Sequence, residues 1–318
     1  MMILSIIIPH YNSAESLKKL LASIPMYEDI EIIVIDDNSN KSLGELNALR
    51  NKDKFPRVKF IKNNSGRKGA GACRNIGIRE STGEWLIFAD SDDFFTEGFY
   101  SKIEPFFSTN NDIVFFEPCS INVESGLESD RHVVYKNIIR RYLENKNKVA
   151  ELKLRYEFLV PWSKLYRRQF VINNNLNFEE VLASNDIMFS VMAGHKMNKF
   201  IATTDTIYCV TRNKGSLTVN ISEAVFDSRV QVYIRYCRYL KSVLTKEEIN
   251  EFQLRGSGYL INIVKYKLGF KKLISTYILF RKANIKILDT TYLNPIVFFK
   301  KIVYHFGQNN KNKKYYTE

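Results

Sequence analysis

The stretch GEWLIFADSDDFF, residues 83–95, runs from a hydrophobic segment straight into three carboxylates, those of Asp90, Asp92 and Asp93. Its first half is typical of a β-strand that is buried on both faces. Carboxylates this close together repel one another, and Asp is a poor strand former. Either a bound cation relieves the repulsion or the stretch is a plain surface turn.

Strand and helix patterns alternate along the residues that precede this stretch. Hydrophobic runs predict strands at LSIIIP (4–9), IEIIVID (30–36) and RVKFIKN (57–63). Helices are predicted at SAESLKKLLASI (13–24) and GAGACRNIGIRES (69–81). Units of strand, helix and strand predict an α/β fold, with a mostly parallel sheet that is flanked by helices.

Ligands of open α/β sheets collect at the carboxyl ends of the strands. That rule brings four polar segments into one crevice: residues 9–12, residues 36–39, the loop before Arg74 and residues 90–93. Each segment taken alone is equally compatible with a turn, a helix cap or a backbone bend. Taken together, they form an ordered pattern.

The pattern consists of four motifs, SIIIPHYN (5–12), IDDNS (35–39), GAGACRNIG (69–77) and ADSDDFF (89–95). In this order they resemble the motifs of the family 2 glycosyltransferases, which have the Rossmann-like GT-A fold. The resemblance covers about the first 215 residues. One departure is Asn38, which stands where the family more often has glycine and must therefore adopt any left-handed turn.

The resemblance implies a nucleotide-sugar donor, with uridine diphosphate as the expected carrier. A departing nucleoside diphosphate carries negative charge, which Mg²⁺ or Mn²⁺ held by carboxylates would stabilise. The resemblance implies that Asp92 is a metal ligand and that Asp90 beside it reaches the ribose or the metal. Asp93 either belongs to this site as their neighbour or caps the following helix. The residues implied to hold the donor are Pro9, Tyr11, Asn12, Asp36, Arg74 and Asp90.

The acceptor half of the crevice needs a base that takes the proton of the attacking hydroxyl. In ASNDIMFSVMAG (183–194), Asp186 stands at the family's catalytic position, and Asn185 replaces the first acid of its usual acidic pair. The resemblance implies that Asp186 is the general base of a single inverting displacement. The alternative is that both residues merely cap the helix that follows.

Two further segments resemble the family: PWSKLYRRQF (161–170) resembles a segment that lines the acceptor side, and IYCVTRNKGSLT (207–218) resembles the strand and RxxGS motif that close the catalytic domain. Trp162 offers a flat face on which a sugar ring could stack. Lys164 and Arg212 are cations that could meet phosphate. Each of the three could equally be a packing or surface residue.

Composition sets the outline of the protein. A chain of 318 residues that is 45% hydrophobic can bury a full core. We predict a catalytic domain at residues 1–222 and a helical, basic and aromatic region at residues 223–318. No apolar run is long enough to cross a bilayer and the opening residues lack a signal peptide, which predicts a cytoplasmic protein. The four cysteines are predicted to be free thiols.

The basic charge is concentrated at the C-terminal end. The formal net charge is +13, and residues 251–318 contribute +10 of it, from 13 basic and three acidic side chains. From about residue 226 the pattern is helical, with a capping box at TKEE (245–248). Lys and Arg interleaved with aromatic residues at 269–288 and 294–306 indicate peripheral contact with an anionic membrane, at its inner face. Packing of these helices on the catalytic domain is the alternative.

The resemblance therefore implies a metal-dependent glycosyltransferase of surface polysaccharide synthesis. It would move a sugar from a nucleoside diphosphate sugar to a hydroxyl of a glycan or lipid-linked saccharide. A nucleotidyltransferase is the alternative, although GxGxxG and GxxxxGK[ST] loops are missing from the sequence. A nucleic-acid binder is disfavoured, since the basic excess lies outside the recognised domain, and we expect no nucleic-acid partner.

Overall fold

The computed structural model describes residues 2–50, 55–212, 222–252 and 254–287. Contacts within the chain divide it into two compact units, Met1–Asn213 and Lys214–Glu318. All four motifs lie in the first unit. The predicted domain boundary between residues 222 and 223 stays a prediction.

One eight-stranded sheet forms the centre of the first unit. Its strands are β1 Leu4–His10, β2 Ile30–Asp36, β3 Val58–Lys62, β4 Trp85–Phe88, β5 Phe94–Phe95, β6 Ile113–Asn122, β7 Lys164–Arg167 and β8 Phe200–Arg212. They are ordered β3-β2-β1-β4-β7-β6-β8-β5. The first four neighbours run parallel, as the sequence predicts. In the other half, β7 is antiparallel to both β4 and β6, β8 is parallel to β6, and β5 is antiparallel to β8.

The apolar character of the central strands follows from burial on both faces of the sheet. Neighbouring side chains of a strand point to opposite faces. In β1, Ile6 and Ile8 belong to one hydrophobic cluster and Ile7 to another, and all three are fully buried. Strands covered on both sides have no polar face to show, so their sequences are uninterrupted apolar runs.

Helices cover this sheet, and one of them positions the third motif. The helices of the first unit are α1 Ala14–Ala22, α2 Leu43–Leu49, α3 Ala70–Glu80, α4 Phe99–Ile103, α5 Val133–Asn145, α6 Lys148–Glu157, α7 Arg168–Asn173 and α8 Ile187–Lys196. Helix α3 contacts β1 and β2. The approach requires Gly77, because a Cβ atom there would lie 2.3 Å from Cγ2 of Ile7. Since α3 follows β3, its first turns lie at the carboxyl edge of the sheet.

The described part of the second unit is helical, as predicted. Its helices are α9 Glu223–Val243, α10 Lys246–Asn250, α11 Ser257–Lys265 and α12 Phe270–Lys282. The capping box is confirmed, because the side chain of Thr245 accepts from the backbone N–H of Glu248 and the Glu248 carboxylate accepts from that of Thr245. None of the helices in the described ranges is long and apolar enough to span a membrane. The basic and aromatic segment at 294–306 lies outside the described residues.

Candidate functional site

The first, second and fourth motifs meet where β1, β2 and β4 end. The backbone N–H of Asn12 donates to Oγ of Ser39 at 2.9 Å, and the Asn12 side chain accepts from the N–H of Asn40 at 2.8 Å. The hydroxyls of Ser13 and Ser91 lie 2.9 Å apart. Direct hydrogen bonds therefore join three segments that are far apart in sequence, at the edge where strand order predicts a crevice.

Asp37 joins the second motif to the third, a role that the sequence analysis missed. Its carboxylate accepts from Nδ2 of Asn63 at 2.6 Å and from the backbone N–H of Gly69 at 2.8 Å. Asn38 has a φ of 61°, so the expected left-handed turn is confirmed. The sequence signal for this role was the pair of adjacent acids in IDDNS. Asp36 accepts from the backbone N–H of Ser39, whereas Asp37 binds the glycine-rich loop at Gly69.

The residues predicted to hold the nucleoside differ in accessibility. Tyr11 is 55% exposed just beyond β1, whereas Pro9 is buried within the strand. Asp36 is buried at the end of β2, where it accepts from the N–H of Ser39 at 3.1 Å and pairs with Arg50 at 3.5 Å. The ring of Tyr11 is therefore open to a ligand, whereas Pro9 is enclosed by the protein.

Arg74 connects the two halves of the crevice. Its Nη1 donates to Oδ1 of Asn185 at 2.7 Å, and its Nη2 forms an ion pair with Asp90. The guanidinium also lies over the ring of Phe178, 5.2 Å from the centroid, and Arg74 is only 4% exposed. A buried, doubly engaged arginine fixes the planar geometry of both contacts. The acidic motif and the residue beside Asp186 are thus held in one arrangement.

Asp93 is a structural member of the acidic cluster. It is buried, and its carboxylate accepts from the hydroxyl of Tyr208 at 2.9 Å and from the N–H of Thr211 at 2.7 Å. The alternative that Asp93 caps the following helix is wrong, because the next element is β5, the cap position of α4 is Gly98, and the carboxylate bonds to β8 instead. Burial, with the neighbouring carboxylates of Asp92 and Asp90, raises the pKa of Asp93.

We expect Asp93→Ala to lower the free energy of unfolding by about 3 kcal/mol, because two buried donors lose their acceptor. Asp92→Ala is the matched control. Burial and the charge of Asp90 raise the pKa of Asp92, so ionised Asp92 destabilises the folded state above that pKa. Removing it should leave stability at pH 7 unchanged or higher. Urea denaturation without added metal measures both, and equal losses would contradict the separate roles.

Asp92 and Asp90 have the chemistry of a divalent metal site. Asp92 is half-buried, and within the described residues its carboxylate has no ion-pair partner, although Asp90 repels it. Hard carboxylate oxygens suit Mg²⁺ or Mn²⁺. The described ranges hold no group of three or more His, Cys, Asp or Glu side chains arranged around a metal. Asp92 and Asp90 could therefore supply two of the ligands of a divalent cation.

Asp186 directly precedes α8 and lies near the charges of Arg74, Asp90 and Lys164. The residue is half-buried, so solvent reaches part of it. Its side chain makes no capping hydrogen bond to the helix, which speaks against the capping alternative. Burial raises the pKa of Asp186, and the nearby charge of Arg74 opposes the shift. A carboxylate of raised pKa that solvent can reach is suited to accept a proton.

Two residues of the predicted acceptor side are core residues instead. Lys164 is fully buried, donates to the carbonyl oxygen of Phe158 at 2.7 Å and lies over three aromatic rings, so it is not placed to meet phosphate. Burial lowers the pKa of Lys164 well below its usual value. Trp162 is 4% exposed and stacks on Tyr208 with centroids 6.0 Å apart, which makes it a packing residue. Arg212 pairs with Asp130 at 2.8 Å, and residues 213–218 of its segment lie outside the described residues.

The sheet, with acidic side chains gathered where its parallel strands end, defines an α/β protein with a Rossmann-like ligand crevice. The family model described as Glycosyl transferase family 2 matches residues 5–173, more than half of the chain. The chain belongs to this family. The predictions of a family 2 glycosyltransferase and of its fold class are therefore confirmed.

Proteins with similar sequences are bacterial glycosyltransferases by name. The poly(ribitol-phosphate) beta-N-acetylglucosaminyltransferase TarS of Staphylococcus aureus is 26% identical over 223 residues, which are 68% of this chain and 36% of TarS. The GalNAc(5)-diNAcBac-PP-undecaprenol beta-1,3-glucosyltransferase of Campylobacter jejuni is 25% identical over 295 residues, 89% of each chain. The chain thus spans about a third of TarS.

A solved structure shows the same fold. The crystal structure of S. aureus TarS 1–349 in complex with UDP-GlcNAc superposes with a TM-score of 0.59 and 22% sequence identity. The superposition covers 79% of this chain and 69% of that one. At this identity the likeness supports the architecture of the sheet and helices, whereas the function has to be argued from the site.

Proposed function

We propose that the protein transfers a sugar from a nucleoside diphosphate sugar, a UDP-sugar, to a hydroxyl of a glycan or lipid-linked saccharide during synthesis of a surface polysaccharide. The observation that carries this proposal is Arg74, which bonds to Asp90 on the donor side and to Asn185, the neighbour of Asp186, on the acceptor side. TarS is crystallised with UDP-GlcNAc, and the Campylobacter relative is named for an undecaprenol-linked acceptor. The cytoplasmic location stays a prediction.

The donor half binds the nucleotide and stabilises its departure. Tyr11 supplies an exposed ring for the base, and Asp36 and Asn12 supply acceptors at the ends of β2 and β1. Asp92 and Asp90 would hold Mg²⁺ or Mn²⁺, whose positive charge stabilises the leaving diphosphate when the ion is bound. Arg74 adds a fixed guanidinium beside Asp90, and this needs no rearrangement as charge develops.

The acceptor half activates the hydroxyl. The Asp186 carboxylate takes the hydroxyl proton, and the oxygen attacks the anomeric carbon from the face opposite the nucleotide. The bond between the anomeric carbon and the phosphate oxygen breaks, its electron pair leaves with the nucleoside diphosphate, and the configuration of the sugar inverts. Asn185 and Arg74 hold Asp186 near the attacking hydroxyl. Asn185 precedes Asp186 in the chain, Arg74 lies close to its carboxylate, and the two are bonded to each other.

Arg74→Gln should lower kcat about tenfold to a hundredfold, since the crevice loses the link between its two halves. The guanidinium lowers the pKa of Asp186, so its removal raises that pKa further. The acid limb of the pH profile of kcat should therefore move to higher pH. Arg79→Gln, at an exposed position of the same helix, is the matched control. An unchanged pH profile in Arg74→Gln would contradict the link.

A panel of UDP-, GDP- and dTDP-sugars tests the proposed activity, incubated with Mn²⁺ or with a chelator. We expect one UDP-sugar to raise the melting temperature by mass action and to yield free UDP slowly when water replaces the acceptor. A nucleotidyltransferase would instead consume added pyrophosphate and form a nucleoside triphosphate and a sugar 1-phosphate from the sugar nucleotide. Failure of every sugar nucleotide to bind would overturn the donor assignment.

A further inference from the structure

Residues 254–287 combine a high positive charge with exposed apolar side chains. This segment holds eight Lys and Arg residues and no Asp or Glu. Of these cations, Lys272 is neutralised within the unit, by Glu223 at 2.7 Å and Asp227 at 2.8 Å of α9. The segment therefore carries an excess of positive charge, and four of its seven other cations lie on the two short helices α11 and α12, namely Lys265, Lys271, Arg281 and Lys282.

Helix α12 buries one side and exposes an apolar stripe on the other. Thr276 and Phe280 are buried, and the ring of Phe280 lies 5.8 Å from that of Tyr259. The exposed stripe comprises Phe270 (73% exposed), Ile274 (46%), Tyr277 (45%) and Ile278 (44%). Because these positions follow the spacing i, i+4, i+7 and i+8, they share one face of the helix.

Helix α11 repeats this arrangement. Ile263 is buried, whereas Ile261 and Val264 are 66% and 71% exposed. Lys265 and Lys267 follow them directly at exposed positions. The basic apolar surface is defined by Ile261, Val264, Phe270 and Ile274 together with the cations Lys265 and Lys271. Helices α11 and α12 contact each other, and several large apolar side chains exposed on neighbouring helices are typical of an interaction site rather than an ordinary solvated face.

We propose that the basic apolar surface binds the interface of an anionic lipid bilayer. The apolar side chains would enter the boundary between headgroups and acyl chains, while Lys265 and Lys271 meet the lipid phosphates. Lys and Arg alone would suit nucleic acid, but Phe270, Val264 and Ile261 would then remain in water. An acidic protein partner would need a complementary apolar face as well, whereas a bilayer offers negative charge and apolar depth together.

Co-sedimentation with vesicles tests the proposal on the full chain. Vesicles that contain two thirds phosphatidylcholine and one third phosphatidylglycerol should bind the protein at low salt and release it at high salt. Vesicles of pure phosphatidylcholine should bind it at least tenfold more weakly. The double variant Lys265→Glu/Lys271→Glu should weaken binding by well over tenfold, because each basic residue near an anionic surface contributes about fivefold. Phe270→Glu combined with Ile274→Glu should weaken it similarly.

Matched controls lie in the other unit. Val134→Glu changes an apolar side chain of 62% exposure, and Lys18→Glu changes an exposed cation, so both should bind vesicles like the unchanged protein. Circular dichroism of each variant checks the helices. The proposal is overturned if the protein does not bind vesicles at low salt, or if Phe270→Glu/Ile274→Glu binds them fully. It is also overturned if the protein binds RNA and bound RNA prevents vesicle binding. None of these outcomes depends on sugar transfer, so they leave the proposed reaction untouched.

Discussion

Replacement of Asp186 by Asn is expected to lower kcat by about two to four orders of magnitude while donor affinity stays nearly unchanged, the usual cost of a lost general base. The amide keeps the size of the side chain and cannot accept the hydroxyl proton. Steady-state release of UDP in the presence of acceptor measures kcat, and calorimetric titration with the sugar nucleotide measures affinity.

The pH profile separates a base from a positioning residue. Burial raises the pKa of Asp186 above the ordinary 3.8, so the acid limb of kcat should lie above that value. Activity falls as pH drops through this limb, because a protonated carboxylic acid cannot serve as base. Asp186→Asn should lose the limb, while Asp205→Asn, at an exposed carboxylate, should keep both rate and limb. A variant that loses donor affinity at unchanged kcat would make Asp186 a binding residue.

Asp92→Ala is expected to abolish measurable transfer and to remove the effect of Mn²⁺ on donor binding. Asp92 carries the carboxylate of the cluster that has no ion-pair partner among the described residues, whereas Asp90 is paired with Arg74 and Asp93 is bonded to β8. Titration of the donor with Mn²⁺ and with chelator should give the same affinity in this variant. Near-normal turnover by Asp92→Ala would show that the metal assignment is wrong.

The parallel half of the sheet could be predicted because its signals are local. The run IEIIVID coincides with β2, and LSIIIP lies within the first seven-residue strand, since strands covered on both faces must be apolar throughout. The mixed half could not be predicted in this way. Strand β6 pairs with β8 through Ile113 and Phe200, residues so far apart in sequence that no local pattern reports the contact.

In the candidate site too, roles set by local motifs could be predicted, and roles that depend on distant segments could not. Motif order predicts that Asp36, Arg74, Asp90 and Asp92 lie around one crevice, because each lies at or shortly after the end of a strand or in the first turns of a helix. The burial of Lys164 could not be predicted, because a lysine is normally exposed and the aromatic rings that enclose it come from separate segments. The structural role of Asp93 could not be predicted either, because the donors that its carboxylate accepts from, Tyr208 and Thr211, lie on the distant strand β8.

The proposed crevice has a donor half at Asp92 and a base at Asp186, and donor affinity in Mn²⁺ distinguishes the two roles. The affinity of each variant is measured for the UDP-sugar that the panel identifies. We predict that Asp186→Asn binds the donor as tightly as the unchanged protein, whereas Asp92→Ala binds it only as weakly as the unchanged protein does in chelator. Equal loss of affinity in both variants, or no loss in Asp92→Ala, would show that these roles are wrong.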